Sequence, residues 1–172
     1  MMAKHFPLLS LVLAIPVTHA QTSDLSYESF VDSDRRIKCL YGYAAEKTGD
    51  HESAIKIFED CVERWNDVYS MIWLAQMYES GAGVDVDLAK AASLMRRGAE
   101  RPDDVAYVSL ARYHYGLALA EGRGVRKDLQ AARAWLQSAS KGGQSEANDY
   151  LTQLEKSSSL NAPARQHPSG AE

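Results

Sequence analysis

The sequence predicts an all-α fold: a short stack of about three antiparallel helix pairs, closed by one C-terminal capping helix. Three observations predict it. Apolar residues recur at three- and four-residue spacing through most of the chain, the period of a helix with one buried face. Glycines and aspartates interrupt these stretches where a helix needs a left-handed stop and a side-chain cap. One segment recurs in the same register 41 residues later.

Composition narrows the class. A length of 172 residues is a prior for one domain. Hydrophobic content of 45% and charged content of 24% exclude a fully disordered chain, a collagen-like fibre and a polytopic membrane protein. The formal charge of -4 argues against a nucleic-acid-binding module, which carries a basic face. Two cysteines are too few for a disulfide-dense mini-protein and, without a histidine cluster, for a structural zinc site. No metal and no cofactor are expected.

Residues 1–20 read as a secretory signal peptide. Met1 to His5 carry one cation, Lys4, and Phe6 to Val17 form an apolar run shorter than the ~20 residues that span a bilayer. Thr18-His19-Ala20 supplies small residues at the positions a signal peptidase reads, so cleavage is expected after Ala20. The alternative is an uncleaved anchor, but Pro16 and Thr18 interrupt the run where such an anchor would continue. No cysteine follows directly, which excludes a lipoprotein-type attachment. The compact signal is bacterial in character, and the expected location is the periplasm, where disulfides persist. The mature chain is not expected to insert in a membrane. Its charge is uneven: residues 21–90 hold 14 acidic and 7 basic side chains, residues 91–172 hold 9 and 11. Steering towards a cationic partner and ordinary surface charge both fit that pattern.

Residues 21–33 are a lead-in without a motif. Residues 34–66 form the first pair. Asp34 to Thr48 carry Ile37, Leu40, Tyr41, Ala44 and Ala45 at helical spacing; Gly49-Asp50 is a stop followed by a cap. His51 to Trp65 place Ala54, Ile55, Phe58, Cys61, Val62 and Trp65 on one face. The second pair spans 67–102 and the third 103–143. In the second, Gly81-x-Gly83-Val84-x-x-Asp87 follows a helix; in the third, Gly122-x-Gly124-Val125-x-x-Asp128 does. Gly81 and Gly122 sit where the helix needs its stop, and Gly83 and Gly124 allow a second tight turn. Val84 and Val125 are apolar residues in polar loops, placed to plug the gap between two helices. Asp87 and Asp128 cap the next helix, whose buried face is Ala91, Leu94, Met95 in one copy and Ala132, Trp135, Leu136 in the other. Gly142-Gly143 ends the third pair. Residues 144–157 read as an amphipathic capping helix, and 158–172 as a disordered tail without periodicity.

The pattern Leu74-Ala75-x-x-Tyr78-x-x-Gly81-x-Gly83-Val84-x-x-Asp87-x-x-Lys90-Ala91-x-x-Leu94 resembles a Sel-1-like repeat. The second copy departs at Leu119 and Ala131, in place of the tyrosine and the lysine. Tyr41-Gly42 with Ala54 and Phe58 resembles a tetratricopeptide repeat. The resemblance implies a right-handed α/α solenoid whose first helices line a groove, and a scaffold or adaptor that binds proteins. By analogy, the groove is lined by Arg36, Tyr43 and Glu46 in the first pair and by Tyr69, Ile72, Gln76 and Glu79 in the second. In the third it is lined by Leu110, Tyr113, Leu117 and Glu121. For each residue the alternative is packing against a neighbouring helix. Family members include immunity proteins against secreted lipase effectors, a second expectation for function.

Cys39 and Cys61 lie about equally far from the turn at residue 50, hence at one height across an antiparallel pair, and a disulfide between them is expected. It would stabilise by roughly 3 kcal/mol. No enzyme is expected. His51, His114 and His167 are scattered, and H-E-x-x-H, G-x-S-x-G and Walker motifs are absent. Ser53-Ala-Ile-Lys56, Ser138-Ala-Ser-Lys141 and Lys47-Thr48-Gly49 match penicillin-recognising motifs by letter. Their order is wrong, and Lys47-Thr48-Gly49 forms a turn rather than a strand.

Overall fold

The structure, a computed structural model, describes residues 26–160. The signal peptide and cleavage after Ala20 expected from the sequence, and residues 161–172 of the expected tail, lie outside the described residues. Every regular element among the described residues is a helix: α1 (Glu28–Val31), α2 (Lys38–Thr48), α3 (His51–Trp65), α4 (Val68–Ser80), α5 (Leu88–Ala99), α6 (Val108–Glu121), α7 (Leu129–Lys141) and α8 (Glu146–Leu160). From α2 onward each helix packs on the next, and α4 also touches α2 and α6. The first helices of successive pairs therefore lie side by side.

Aspartates start four of these helices. The carboxylates of Asp50, Asp67, Asp87 and Asp128 accept backbone N–H groups in the first turns of α3, α4, α5 and α7, which would otherwise lack partners. Glycines stop α2, α4 and α6: Gly49, Gly81 and Gly122 have φ of 86°, 77° and 75°, a region costly to any residue with a Cβ. Both repeat loops then fold back identically. The Asp87 N–H donates to the Tyr78 carbonyl at 3.0 Å, and the Asp128 N–H to the Leu119 carbonyl at 2.9 Å. Val84 and Val125 are half-buried against the main core between helices.

The second glycine of each loop is the point of contact between pairs. A Cβ on Gly83 would lie 2.4 Å from the His51 Cβ at the start of α3. One on Gly124 would lie 1.8 Å from the Leu88 carbonyl oxygen at the start of α5. Each loop thus rests on the first turn of the second helix of the preceding pair, closer than any side chain permits.

The two copies close differently at Tyr78. Its hydroxyl donates to Glu59 at 3.2 Å and meets the Lys90 ammonium, and Lys90 lies 3.6 Å from Glu59, so α3, α4 and α5 are tied together. In the second copy Leu119 and Ala131 join the apolar core instead. That core runs from Ala45 through Phe58, Met71, Leu74 and Met95 to Ala132. A second cluster, Leu136, Ala139 and Ala147, seats α8. A third, Cys39, Ile57 and Cys61, carries Tyr27, Phe30, Val31 and Trp65.

The structure departs from the sequence reading at both ends. The lead-in holds the short helix α1, whose Phe30 stacks on Tyr41 with centroids 4.1 Å apart. The first helix of pair one begins at Lys38 rather than Asp34. The N–H groups of Lys38, Cys39 and Leu40 bond to carbonyls three residues back, a tighter turn than α-helix. Lys38 itself is fully buried. Its ammonium reaches Asp60 at 2.6 Å and the Val31 carbonyl at 2.7 Å, which fastens the end of α1 to α2 and α3. Helix α8 continues through Ser158 to Leu160, three residues assigned to the tail by the sequence.

Gly124→Ala is expected to destabilise the protein by about 3 kcal/mol in chemical denaturation, since backbone must move to admit the methyl group. Gly49→Ala, with a similar φ but nothing within 4 Å of its Cβ, should cost only about 1 kcal/mol. A second expectation concerns Asp50. Burial pulls its carboxyl upward, but hydrogen bonds from the Tyr27 N–H and from Ser53 outweigh that and hold it below its ordinary value of 3.8. A carboxyl lowered by folding stabilises above its unfolded value and loses that contribution as pH falls through the folded value. Asp50→Asn should therefore be less stable at neutral pH, and its deficit should shrink in denaturation curves taken below pH 3.8.

Candidate functional site

The N-terminal ends of the first helices meet at one edge of the stack. Arg36, Ile37, Cys39 and Leu40 at the start of α2 face Asp67, Val68 and Tyr69 at the start of α4. Val105, Ala106 and Tyr107, just before α6, complete a cavity of about 410 Å³. Its walls are mostly apolar, and Ile37, Leu40 and Tyr107 are 54%, 53% and 50% exposed at its rim. A cavity of this size and character is suited to an apolar side chain of a partner or a small apolar group.

An aromatic row leads away from the cavity across α4 to α2. Tyr107 packs on Tyr69 at 5.1 Å between centroids, Tyr69 on Trp73 at 6.2 Å, and Trp73 on Tyr43 at 4.6 Å. These tilted and edge-on contacts suit ring quadrupoles. The Lys47 ammonium lies 4.7 Å from the centre of the Trp73 ring and 5.4 Å from that of Tyr43, and pairs with Glu46 at 2.9 Å. Burial, then the neighbouring Tyr107, pushes the Tyr69 phenol up to about 12. It is neutral over the physiological range and acts as an apolar surface with one hydroxyl donor.

Tyr107 is held in an unusual conformation. Its φ is 65°, the left-handed region that a bulky side chain rarely adopts. It precedes α6 without a side-chain cap. The backbone there is strained and the ring is half in solvent, a combination that clusters at ligand-binding sites.

Of the residues expected to line a groove, Tyr43 and Tyr69 belong to the aromatic row. Arg36 lies in the turn before α2 and pairs with Asp67 at 3.0 Å at the edge of the cavity. Glu46 is half-buried beside Lys47, Gln76 is half-buried, and Leu110 is half-buried against the core. Glu79 lies 3.4 Å from Arg123, which also pairs with Glu121 at 2.7 Å, so both carboxylates serve the second repeat loop. Ile72 is a correction: it is 2% exposed and belongs to the main core, because that flank of α4 turns inward. Tyr113 and Leu117 are a second correction. They are half-buried against the cluster that seats α8, and so close the stack rather than line a surface.

Trp73, Lys47, Leu40 and Tyr107 were not foreseen as surface residues of the site. Trp73 stands four residues after Tyr69 on one helix, a spacing that puts both rings on one face and could have found it. Tyr107 had no such signal, since it lies outside any helix. His114 is buried enough that its imidazole is held below its ordinary value, chiefly by desolvation and then by the Arg123 charge, so it is neutral at pH 7. Among the described residues, no group of three or more His, Cys, Asp and Glu is placed to hold a metal ion. Nor is any described helix long and apolar enough to cross a membrane.

Comparison with known families matches residues 68–103 and 109–144 to the Sel1 repeat. Residues 68–144 of this chain carry two Sel1 repeats. The matched stretches contain both G-x-G-V loops and the helices they join, α4 with α5 and α6 with α7. Sel1 repeats are protein–protein interaction modules. No solved structure matches the chain.

If the left-handed turn at Tyr107 is strained, the usual order of glycine and alanine variants will be inverted there. Tyr107→Gly relieves about 1 kcal/mol of steric cost, whereas Tyr107→Ala keeps that cost and loses the ring. Thermal denaturation should place the alanine variant below the glycine variant; the opposite order would mean the turn carries no strain.

Proposed function

We propose that this protein is a non-catalytic interaction module of the periplasm, exported by the signal segment that ends at Ala20. It holds a segment of a partner protein along the face formed by α2, α4 and α6. The observation that carries this reading is the apolar cavity with Ile37, Leu40 and Tyr107 exposed at its rim, continuous with the Tyr69–Trp73–Tyr43 row. Contiguous exposed apolar groups anchored on rigid helices are what a binding surface needs, and aromatic anchors in a pocket carry most of the energy in such interfaces. The acidic N-terminal part of the chain fits a partner with basic surface around the segment it inserts.

Cross-linking of tagged full-length protein in its native cell, followed by mass spectrometry, tests this. Leu40→Glu with Tyr107→Gly is the control, because both residues are exposed and neither belongs to a core cluster. Several envelope proteins that disappear in the control would identify a scaffold. One dominant partner that disappears, itself a secreted antibacterial effector such as a lipase, would identify an immunity protein. Partners retained by the control would move the interface away from the cavity and sink the proposal.

A further inference from the structure

One wall of the cavity is attached to the rest of the protein in an unusual way. Cys39 lines the cavity and is disulfide-bonded to Cys61 of α3, with Cα atoms 6.0 Å apart. The residues that form the wall with it, Arg36, Ile37 and Leu40, are all exposed. Helix α2 buries only Lys38, Cys39, Gly42 and Ala45, and its first turn has no side-chain cap. Of these four, only Ala45, near the C-terminal end of α2, joins the main core. The wall and the N-terminal half of α2 are held by Gly42 against Phe58, by Lys38 with Asp60 and the Val31 carbonyl, by Tyr41 stacked on Phe30, by the exposed Arg36–Asp67 pair and, covalently, by the disulfide. The disulfide sits at the centre of a separate small cluster with Ile57, Tyr27, Phe30, Val31 and Trp65. The opposite walls belong elsewhere. Val68 is part of the main core, and Tyr69 and Val105 pack on it.

We infer that the Cys39–Cys61 disulfide is a redox latch for this cavity: reduction by a dithiol frees the Arg36–Leu40 wall and opens the site, while α4 to α7 stay folded. The pocket's binding role is the premise, but the latch can be tested without any partner. The exchange balances within the protein and the dithiol. One thiolate of the dithiol attacks the Cys39 sulfur, forms a mixed disulfide and releases Cys61 as a thiolate, which takes up a proton. The second thiol of the dithiol then closes on the first sulfur and releases Cys39, which is protonated in turn. The cystine gains two electrons and two protons, and the dithiol is oxidised to its own disulfide. Because Cys39 is 4% exposed and Cys61 fully buried, attack needs a prior opening of the first turn of α2. The uncapped turn and the exposed wall residues make that opening local.

Hydrogen exchange on the full chain, read by mass spectrometry before and after treatment with dithiothreitol, tests the latch, with the two thiols counted by alkylation. Removing a cross-link over a loop of this length favours the open form by a factor on the order of a hundred. Amides of Lys38 to Tyr43 should therefore exchange about a hundredfold faster once both thiols appear, while those of α4 to α7 change less than about threefold. Cys39→Ser with Cys61→Ser should show the same local pattern and be indifferent to the dithiol. Unchanged exchange with both thiols titrated would overturn the latch, as would equal acceleration along the whole chain. A disulfide that stays intact under the dithiol would overturn it too. None of these outcomes depends on a partner, so failure of the latch and failure of the binding proposal are separable.

Discussion

The stack depends on one close approach, the second glycine of each repeat loop against the helix start of the preceding pair. At Gly124 even a methyl group would collide with the Leu88 carbonyl oxygen. At Gly83 it would meet the His51 Cβ, a side-chain atom fixed to backbone and equally unable to move aside. The contact sets how near one pair sits to the next. It also sets which turn of one helix faces which turn of its neighbour, since the loop is tied to its own first helix by the Asp87–Tyr78 or Asp128–Leu119 backbone bond. Side-by-side placement of α2, α4 and α6 follows. So does a single core shared across pairs, which no pair could bury alone.

The candidate site is a consequence of that placement. Its parts come from three non-adjacent stretches: Arg36 to Leu40, Asp67 to Trp73, and Val105 to Tyr107. None is a site by itself. Stacking brings the starts of three first helices to one edge, where end residues that a longer solenoid would leave as ordinary surface converge on a cavity. Two devices hold this edge that the repeats do not supply. The disulfide cluster anchors the wall from α2, and the strained turn at Tyr107 presents its ring to Tyr69. Both lie outside the two matched repeats. In this chain the repeats provide the frame, and the segments around them provide the surface that distinguishes it.

The fold was legible where a local rule dictates local geometry. Gly81 and Gly122 end helices because a left-handed stop favours glycine, and Asp87 and Asp128 begin them because a carboxylate satisfies first-turn N–H groups. The pairing of Cys39 with Cys61 was legible from equal distances to a turn. The site was legible only in part. Tyr43 and Tyr69 were found as positions on first helices, yet Ile72, one helical step from Trp73, was misplaced because the packing partner decides which flank of α4 turns inward. Tyr113 and Leu117 were misplaced because the sequence predicted a capping helix but not which residues of α6 would pack against the cluster that seats it.

By itself, the sequence determined the helices of the three pairs apart from the start of α2, with their glycine stops and aspartate caps, the repeat and the cross-link, because each depends on residues within a few positions of one another or on one symmetric spacing. The tertiary structure alone decided the cavity, the burial of Lys38 and the exposure of Tyr107. Lys38 is buried where Asp60 and the Val31 carbonyl meet its Nζ from two other segments. Tyr107, with its left-handed φ, sets its ring 5.1 Å from that of Tyr69 on α4. Burial and strain are set by what packs alongside, and for these residues the neighbours are 7 to 38 positions away in the chain.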